Sequence, residues 1–411
     1  MAEDIWTIKE HIINASFIRA LPRGIRDEEN HRLRLHVKQW TPKANPCPQS
    51  GDVTVIFAHG VGSSKESYEV FFDYLLQRGL GIRSIWAMDV AHHGQSYMLN
   101  KDVIGDEISW YDAARDIIHM INTFQQEITP PIIGIGQSWG GAYLLEASDL
   151  HPRLFDGLIL VEPTVATGYG RDKNKRVTWM MERQDWWPSR EAAESSLRKL
   201  KYYQRFDPRV FERVIKYDIR DVTPNDPSFD HSATDSGFPI VGLGVTLTTP
   251  KAQEVYTMMQ EHLEHPGQIS ILPNKATPEE TVMPRFYRAE GIMMKKILPN
   301  VLPPVLYAWG KSSDLAIGPN AGLSYRKMLL ETTGSADCGS GGQAKGKVRE
   351  VWVDDSTHPI PFEQPEALSK ALAPWLRELR NEWICQKRRD QQRIFYPAKI
   401  NSAWLEKVSK L

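Results

Sequence analysis

Four stretches of the sequence carry residue types that together could make and break an acyl bond. In Pro131-Ile132-Ile133-Gly134-Ile135-Gly136-Gln137-Ser138-Trp139-Gly140-Gly141 an apolar run breaks into Gly-x-Ser-x-Gly. Glycines at 136 and 140 permit a turn tight enough to leave Ser138 on a strained corner between a strand and a helix, its hydroxyl aimed away from the sheet as a nucleophile. The five-residue pattern is weak alone, because ordinary loops contain it. Its weight depends on a base, an acid and oxyanion donors elsewhere in the chain. His358, in Ser356-Thr357-His358-Pro359, suits the base, since a neutral imidazole takes the serine proton and later returns it to the leaving group. Two carboxylates could orient that imidazole. Asp314 follows Trp309-Gly310-Lys311-Ser312-Ser313, one residue beyond the usual glycine-x-x-acid spacing, and Glu162 follows Val161. The residues leave both open, and either gives the order serine and histidine need. His59-Gly60-Val61-Gly62 supplies the fourth stretch. Its Val61 amide, together with that of Trp139, would give two donors to a tetrahedral intermediate.

Stepping outward, each of these stretches terminates a predicted strand. Leu33-Arg34-Leu35-His36-Val37-Lys38-Gln39-Trp40 alternates with the period of a half-buried strand, the second arm of an opening edge hairpin. Val53 to Ala58 is a nearly continuous β-branched and aromatic run, as expected of a strand covered on both faces, and it ends at His59. Ser84 to Asp89 is the next strand. Ser109 with Asp112 has the spacing of a capping box, and Ala114, Ile117, Ile118, Ile121 and Phe124 then fall on one helical face. Strands at Gly157 to Val161, Pro304 to Gly310 and Val348 to Val353 complete the alternation. The pattern predicts an α/β class, with a mostly parallel central sheet and helices on both faces.

Composition narrows the function. The chain has 411 residues, 41% of them apolar, and a net charge of -1, which does not suit a dedicated nucleic-acid binder. No apolar run approaches the ~18 residues of a membrane-spanning helix, and the acidic N-terminus is unlike a secretory signal. Cys47, Cys338 and Cys385 are distant from one another and lack metal-ligand spacing, so free thiols in a reducing interior are expected. The adjacent His92 and His93 diverge on a turn and have no third ligand at suitable spacing. Neither a metal nor another cofactor is expected.

Between Thr164 and Leu298 the alternation stops, and the chain becomes aromatic, charged and helical in pattern. This segment is expected to be an inserted helical cap, with Arg171, Lys173, Lys175 and Arg176 on a solvated face. The expected organisation is a core of residues 1–163 and 299–395, a cap of 164–298, and a tail of 396–411. The tail ends in Ser409-Lys410-Leu411, the tripeptide that a peroxisomal import receptor reads. The expected location is therefore the peroxisomal matrix.

The four stretches, with Trp187-Pro188-Ser189-Arg190, Phe206-Asp207-Pro208, Thr249-Pro250-Lys251-Ala252 and Pro361-Phe362-Glu363, resemble fungal peroxisomal α/β-hydrolases of secondary metabolism along nearly the whole chain. The resemblance implies the α/β-hydrolase fold with its cap and a small-molecule acyl-CoA or related ester as substrate. It also implies that the chain can form a homodimer through cap and tail elements. It favours Glu162 over Asp314, because in an acyl-CoA hydrolase of this group the acid, an aspartate there, follows the strand after the nucleophile helix. Ester or lactone hydrolysis, or acyl transfer to an alcohol, would use the same residues.

Overall fold

The opening hairpin pairs β1 (Trp6–Asn14) antiparallel with β2 (Arg34–Pro42). The computed structural model from which this is taken describes residues 2–165, 175–223, 226, 243–261, 286–318, 322–392, 400 and 402–410. Arg171, Lys173 and Leu411 lie outside them. Strand β2 passes the sheet on to β4 (Ile82–Met88), again antiparallel. From there β3 (Val53–Ala58), β5 (Ile132–Gln137), β6 (Gly157–Val161), β7 (Val305–Gly310) and β8 (Val348–Val353) run parallel, in the order β1-β2-β4-β3-β5-β6-β7-β8. This is the mostly parallel sheet that the alternation predicts.

Within β3 successive residues serve opposite cores. Ile56 and Ala58 join one apolar cluster, beneath α2 (Trp110–Thr123) and α3 (Trp139–Leu150), while Val55 and Phe57 join the other, beneath α1 (Glu69–Leu76) and α7 (Pro365–Gln391). Strand period two with both faces covered explains why the run has no polar alternation. Burying each of Val55, Ile56 and Phe57 stabilises the fold by roughly 1.5–3 kcal/mol, and the same packing fixes the carboxyl ends of β3, β5, β6 and β8, where the chemical residues lie. At the first of these ends Lys65 and Asp89 form a fully buried ion pair at 2.7 Å that ties the loop after β3 to the end of β4.

Two local expectations change. Ser109 caps α2 by accepting from the Tyr111 amide at 3.3 Å, but Asp112 does not return to the Ser109 amide. Its carboxylate instead takes the Ala20 amide at 3.0 Å and pairs with Arg19 at 3.3 Å, so a charged partner from the N-terminal segment displaces the reciprocal half of the box. The segment expected to be a helical cap contains helices α4 (Lys175–Glu182), α5 (Pro208–Tyr217) and α6 (Lys251–Met258), and also a three-stranded antiparallel sheet of Trp186–Trp187, Val245–Leu247 and Ile219–Asp221. Strands of two or three residues are too short to show a period.

The cap is fastened to the core at several loops. Asp218 after α5 accepts from the Ser64 amide at 2.9 Å and the Ser67 hydroxyl at 3.0 Å, and burial pushes its carboxyl up to about 7. Thr249, just before α6, accepts from the Gly94 amide at 2.9 Å. These contacts set the cap directly above the strand ends.

Candidate active site

Strand β5 ends at Gln137 and α3 begins at Trp139, leaving Ser138 between them at φ 54° and ψ -119°. A residue with a Cβ rarely adopts such backbone, and the surroundings hold it there. A Cβ on Gly140 would lie 2.1 Å from the Ala58 carbonyl oxygen, and one on Gly136 would lie 2.6 Å from the Gly140 backbone. Both glycines are thus needed for the turn to sit against β3. The Ser138 amide donates to the Val161 carbonyl at 2.9 Å, and the Ser138 carbonyl accepts from the Gly141 and Thr164 amides at 3.1 and 3.0 Å. The strained residue is pinned on both sides.

His358 follows β8, and its Nε2 lies 2.9 Å from Ser138 Oγ. Its Nδ1 faces Glu162 Oε2 at 3.4 Å, long for a charge-assisted hydrogen bond. The same Oε2 has a nearer donor in the Ser313 hydroxyl at 2.6 Å, and Oε1 accepts from the Gly310 amide at 2.7 Å. Glu162 is fully buried and itself sits at φ 48°. Asp314 begins the short helix Asp314–Ile317 with its side chain exposed. The structure therefore brings Ser138, His358 and Glu162 together and leaves Asp314 at the surface.

The candidate oxyanion donors lie in the two turns that meet at Ser138. Gly60 abuts the serine turn, since a Cβ there would lie 3.4 Å from that of Ser138 and 2.2 Å from the Gln137 side-chain oxygen. Val61 follows it. Trp139 is the first residue of α3, so its amide is one of those without an intrahelical carbonyl. Neither amide has an acceptor among the described residues. The loop carrying Val61 is braced by His59, whose Nδ1 donates to the Gly60 carbonyl at 2.8 Å while its Nε2 accepts from the Val90 amide at 3.1 Å. That tautomer requires a neutral ring, and burial pushes the imidazole below its ordinary range.

Four polar residues at the site drew no notice in the sequence. The Tyr68 hydroxyl accepts from the Gly60 amide at 3.0 Å and donates to Gln137 Oε1 at 3.1 Å, while Gln137 Nε2 donates to the His358 carbonyl at 3.3 Å. Gln137 thereby couples the loop after β3 to the histidine turn. Thr164 Oγ1 lies 3.1 Å from Ser138 Oγ. Ser313 stands three residues after Gly310, where the usual spacing places a carboxylate, and that coincidence was its available signal. Thr164 had only its nearness to Glu162 in sequence.

His92 and His93 are buried against Trp139, with ring centroids 5.6 and 5.8 Å from the indole. Burial holds both imidazoles well below their ordinary range, and His92 Nε2 meets the Thr257 hydroxyl of α6 at 2.8 Å. Among the described residues no three His, Cys, Asp or Glu side chains form a metal-holding group. Above the loop after β3, Glu254 of α6 packs on Gly62, where a Cβ would come within 2.9 Å of the carboxylate, and it pairs with Arg183 at 2.5 Å. A serine hydroxyl against an imidazole, a buried carboxylate behind the ring, and two amides without an acceptor in the adjoining turns can support acyl transfer through a covalent intermediate.

Comparison with known proteins agrees with this architecture. A model of the alpha/beta hydrolase family matches residues 55–371. The type I acyl-CoA thioesterase mpaH of Penicillium roqueforti is 33% identical over 93% of this chain and 92% of its own. The corresponding mpaH' protein of Penicillium brevicompactum is also 33% identical, over 92% and 89%. Among solved structures, the peroxisomal alpha-beta-hydrolase Lpx1 of Saccharomyces cerevisiae superposes with a TM-score of 0.66 at 16% identity, covering 99% of this chain and 96% of its own, a likeness of fold. On the family match and the relatives that span nearly its whole length, the chain belongs to the alpha/beta hydrolase family.

Proposed function

We propose that the protein is a serine hydrolase that cleaves an acyl-CoA thioester through an acyl-enzyme on Ser138. The observation that carries this reading is the 2.9 Å contact between Ser138 Oγ and His358 Nε2, backed by buried Glu162. Relatives named as acyl-CoA thioesterases support the substrate class. In the proposed reaction Ser138 Oγ attacks the thioester carbonyl carbon as its proton passes to His358 Nε2. The Val61 and Trp139 amides hold the oxygen as it becomes negative. Collapse breaks the carbon–sulfur bond, and the thiol leaves with the proton from His358. Water then attacks the acyl-enzyme with His358 again as base, the carbon–Oγ bond breaks, and Ser138 recovers its proton as the acid departs.

The test is a panel of acyl-CoA esters of graded chain length, followed by release of free CoA thiol, with parallel labelling by a fluorophosphonate probe. At least one member of the panel is expected to yield CoA at a rate well above solution hydrolysis, and the probe is expected to mark the peptide that contains Ser138. No label on Ser138, or release of thiol only when an alcohol acceptor is supplied, would remove the hydrolase reading.

The same proposal sets the reaction in the peroxisome, through recognition of the Ser409-Lys410-Leu411 tripeptide by an import receptor. A fluorescent protein fused ahead of residue 1 is expected to give punctate, peroxisomal signal that becomes diffuse when residues 409–411 are deleted. Punctate signal from the deleted form would refute the assignment.

A further inference from the structure

Ser138 Oγ has a second close neighbour besides the histidine, the hydroxyl of Thr164 at 3.1 Å. Thr164 is buried, and it is held firmly. Its own amide donates to the Ser138 carbonyl at 3.0 Å, and on either side of it the Tyr325 hydroxyl donates to the Pro163 carbonyl at 2.7 Å and accepts from the Val165 amide at 2.9 Å.

Proton accounting sets the direction of the Thr164 contact. With His358 Nδ1 facing a carboxylate, the ring proton of the neutral imidazole sits on Nδ1, and Nε2 is an acceptor. The single proton of Ser138 therefore goes to His358. The remaining hydrogen between the two hydroxyls belongs to Thr164, so Thr164 donates to the nucleophile oxygen.

A donor fixed on Oγ acts differently on the two halves of a thioester hydrolysis. During acylation Oγ uses its electron pair to attack, and a hydrogen bond on that oxygen gives no assistance. The group that must leave is a thiolate, far less basic than an alkoxide, and it leaves readily. During deacylation the roles reverse. Water attacks, the bond from the carbonyl carbon to Oγ breaks, and Oγ departs carrying the electron pair until His358 protonates it. An alkoxide is a far poorer leaving group than a thiolate, and a hydrogen bond donated to it as charge develops lowers that barrier. Thr164 keeps its own proton throughout.

From this geometry, and resting on the acyl-enzyme reading above, we infer that Thr164 is a catalytic residue for deacylation, a hydrogen-bond donor to Ser138 Oγ as it leaves the acyl-enzyme. The experiment compares wild type with Thr164→Val and Thr164→Ser on the preferred acyl-CoA, by steady-state kinetics, rapid-quench measurement of CoA release and intact-protein mass. In Thr164→Val, kcat is expected to fall on the order of tenfold. KM is expected to fall with it, leaving kcat/KM within about threefold, because acylation is untouched and the acyl-enzyme accumulates. A burst of about one CoA per enzyme and a mass increase on the Ser138 peptide should appear. Thr164→Ser should behave as wild type.

Equal losses in kcat and kcat/KM without an acylated Ser138 would overturn the inference, as would unchanged turnover in Thr164→Val. Fluorophosphonate labelling separates this failure from failure of the parent reading. Label on Ser138 in wild type and Thr164→Val with no change in partition rejects the role of Thr164 alone, whereas no label in wild type rejects both.

Discussion

Ser138→Ala is expected to lower kcat for acyl-CoA hydrolysis by about 10⁴–10⁶-fold and to leave the thermal midpoint within a few degrees of wild type. The size follows from the role proposed for the hydroxyl: without Oγ the proposed acyl-enzyme cannot form and His358 Nε2 has no serine proton to accept. Residues that act as one unit lose nearly the whole catalytic advantage when one is removed. What remains would come from binding and the oxyanion amides. The small effect on stability follows from the backbone. Alanine meets the same φ of 54° that serine already tolerates, and the hydrogen bonds that pin the turn use the amide and carbonyl of residue 138. Only the side-chain contacts to His358 and Thr164 are lost. The measurement is CoA thiol release together with a melting curve by circular dichroism. Hydrolysis at the wild-type rate would end the nucleophile assignment, and a collapsed fold would be visible in the melt.

Much of the core was legible in the sequence because its physics is local. Val53 to Ala58 had to be a strand buried on two faces, since six consecutive residues of that kind have no other economical environment, and all six are buried. Gly136 and Gly140 likewise betray the serine turn, because the structure leaves no room for a Cβ at either. What was not legible depends on distance across the fold. The spacing of Glu162 and of Asp314 is compatible with the same role. The three-dimensional placement of the side chains separates them, with Glu162 buried and its Oε2 3.4 Å from His358 Nδ1 while Asp314 opens an exposed helix turn. Asp112 shows the same effect in miniature, a capping residue by spacing that a remote arginine, Arg19, has captured. The cap sheet escaped notice because strands of two or three residues are too short to show a period, and Tyr68, Gln137 and Ser313 because their partners lie 8, 221 and 151 residues away.

The two carboxylates give the second large prediction. Glu162→Gln is expected to reduce kcat by about 10³–10⁴-fold, while Asp314→Asn is expected to change it by less than twofold. The glutamine keeps the shape of the side chain and can still accept the Ser313 hydroxyl or the Gly310 amide. It could not balance the imidazolium that the proposed reaction forms when Ser138 gives up its proton. Should its amide nitrogen face His358, the ring would also carry its proton on Nε2, the wrong nitrogen to receive one from Ser138. Asp314 makes no such contact, being exposed. The distance of 3.4 Å between His358 Nδ1 and Glu162 Oε2 does not weaken this expectation, because catalytic hydrogen bonds that are long in a resting site tighten when charge develops on the ring. Both variants would be assayed on one acyl-CoA under identical conditions, with fluorophosphonate labelling rates as a second readout that depends on activation of Ser138 and not on CoA binding. A large loss in Asp314→Asn with Glu162→Gln near wild type would reverse the assignment, and it would require the helix turn at Asp314 to move inward during catalysis.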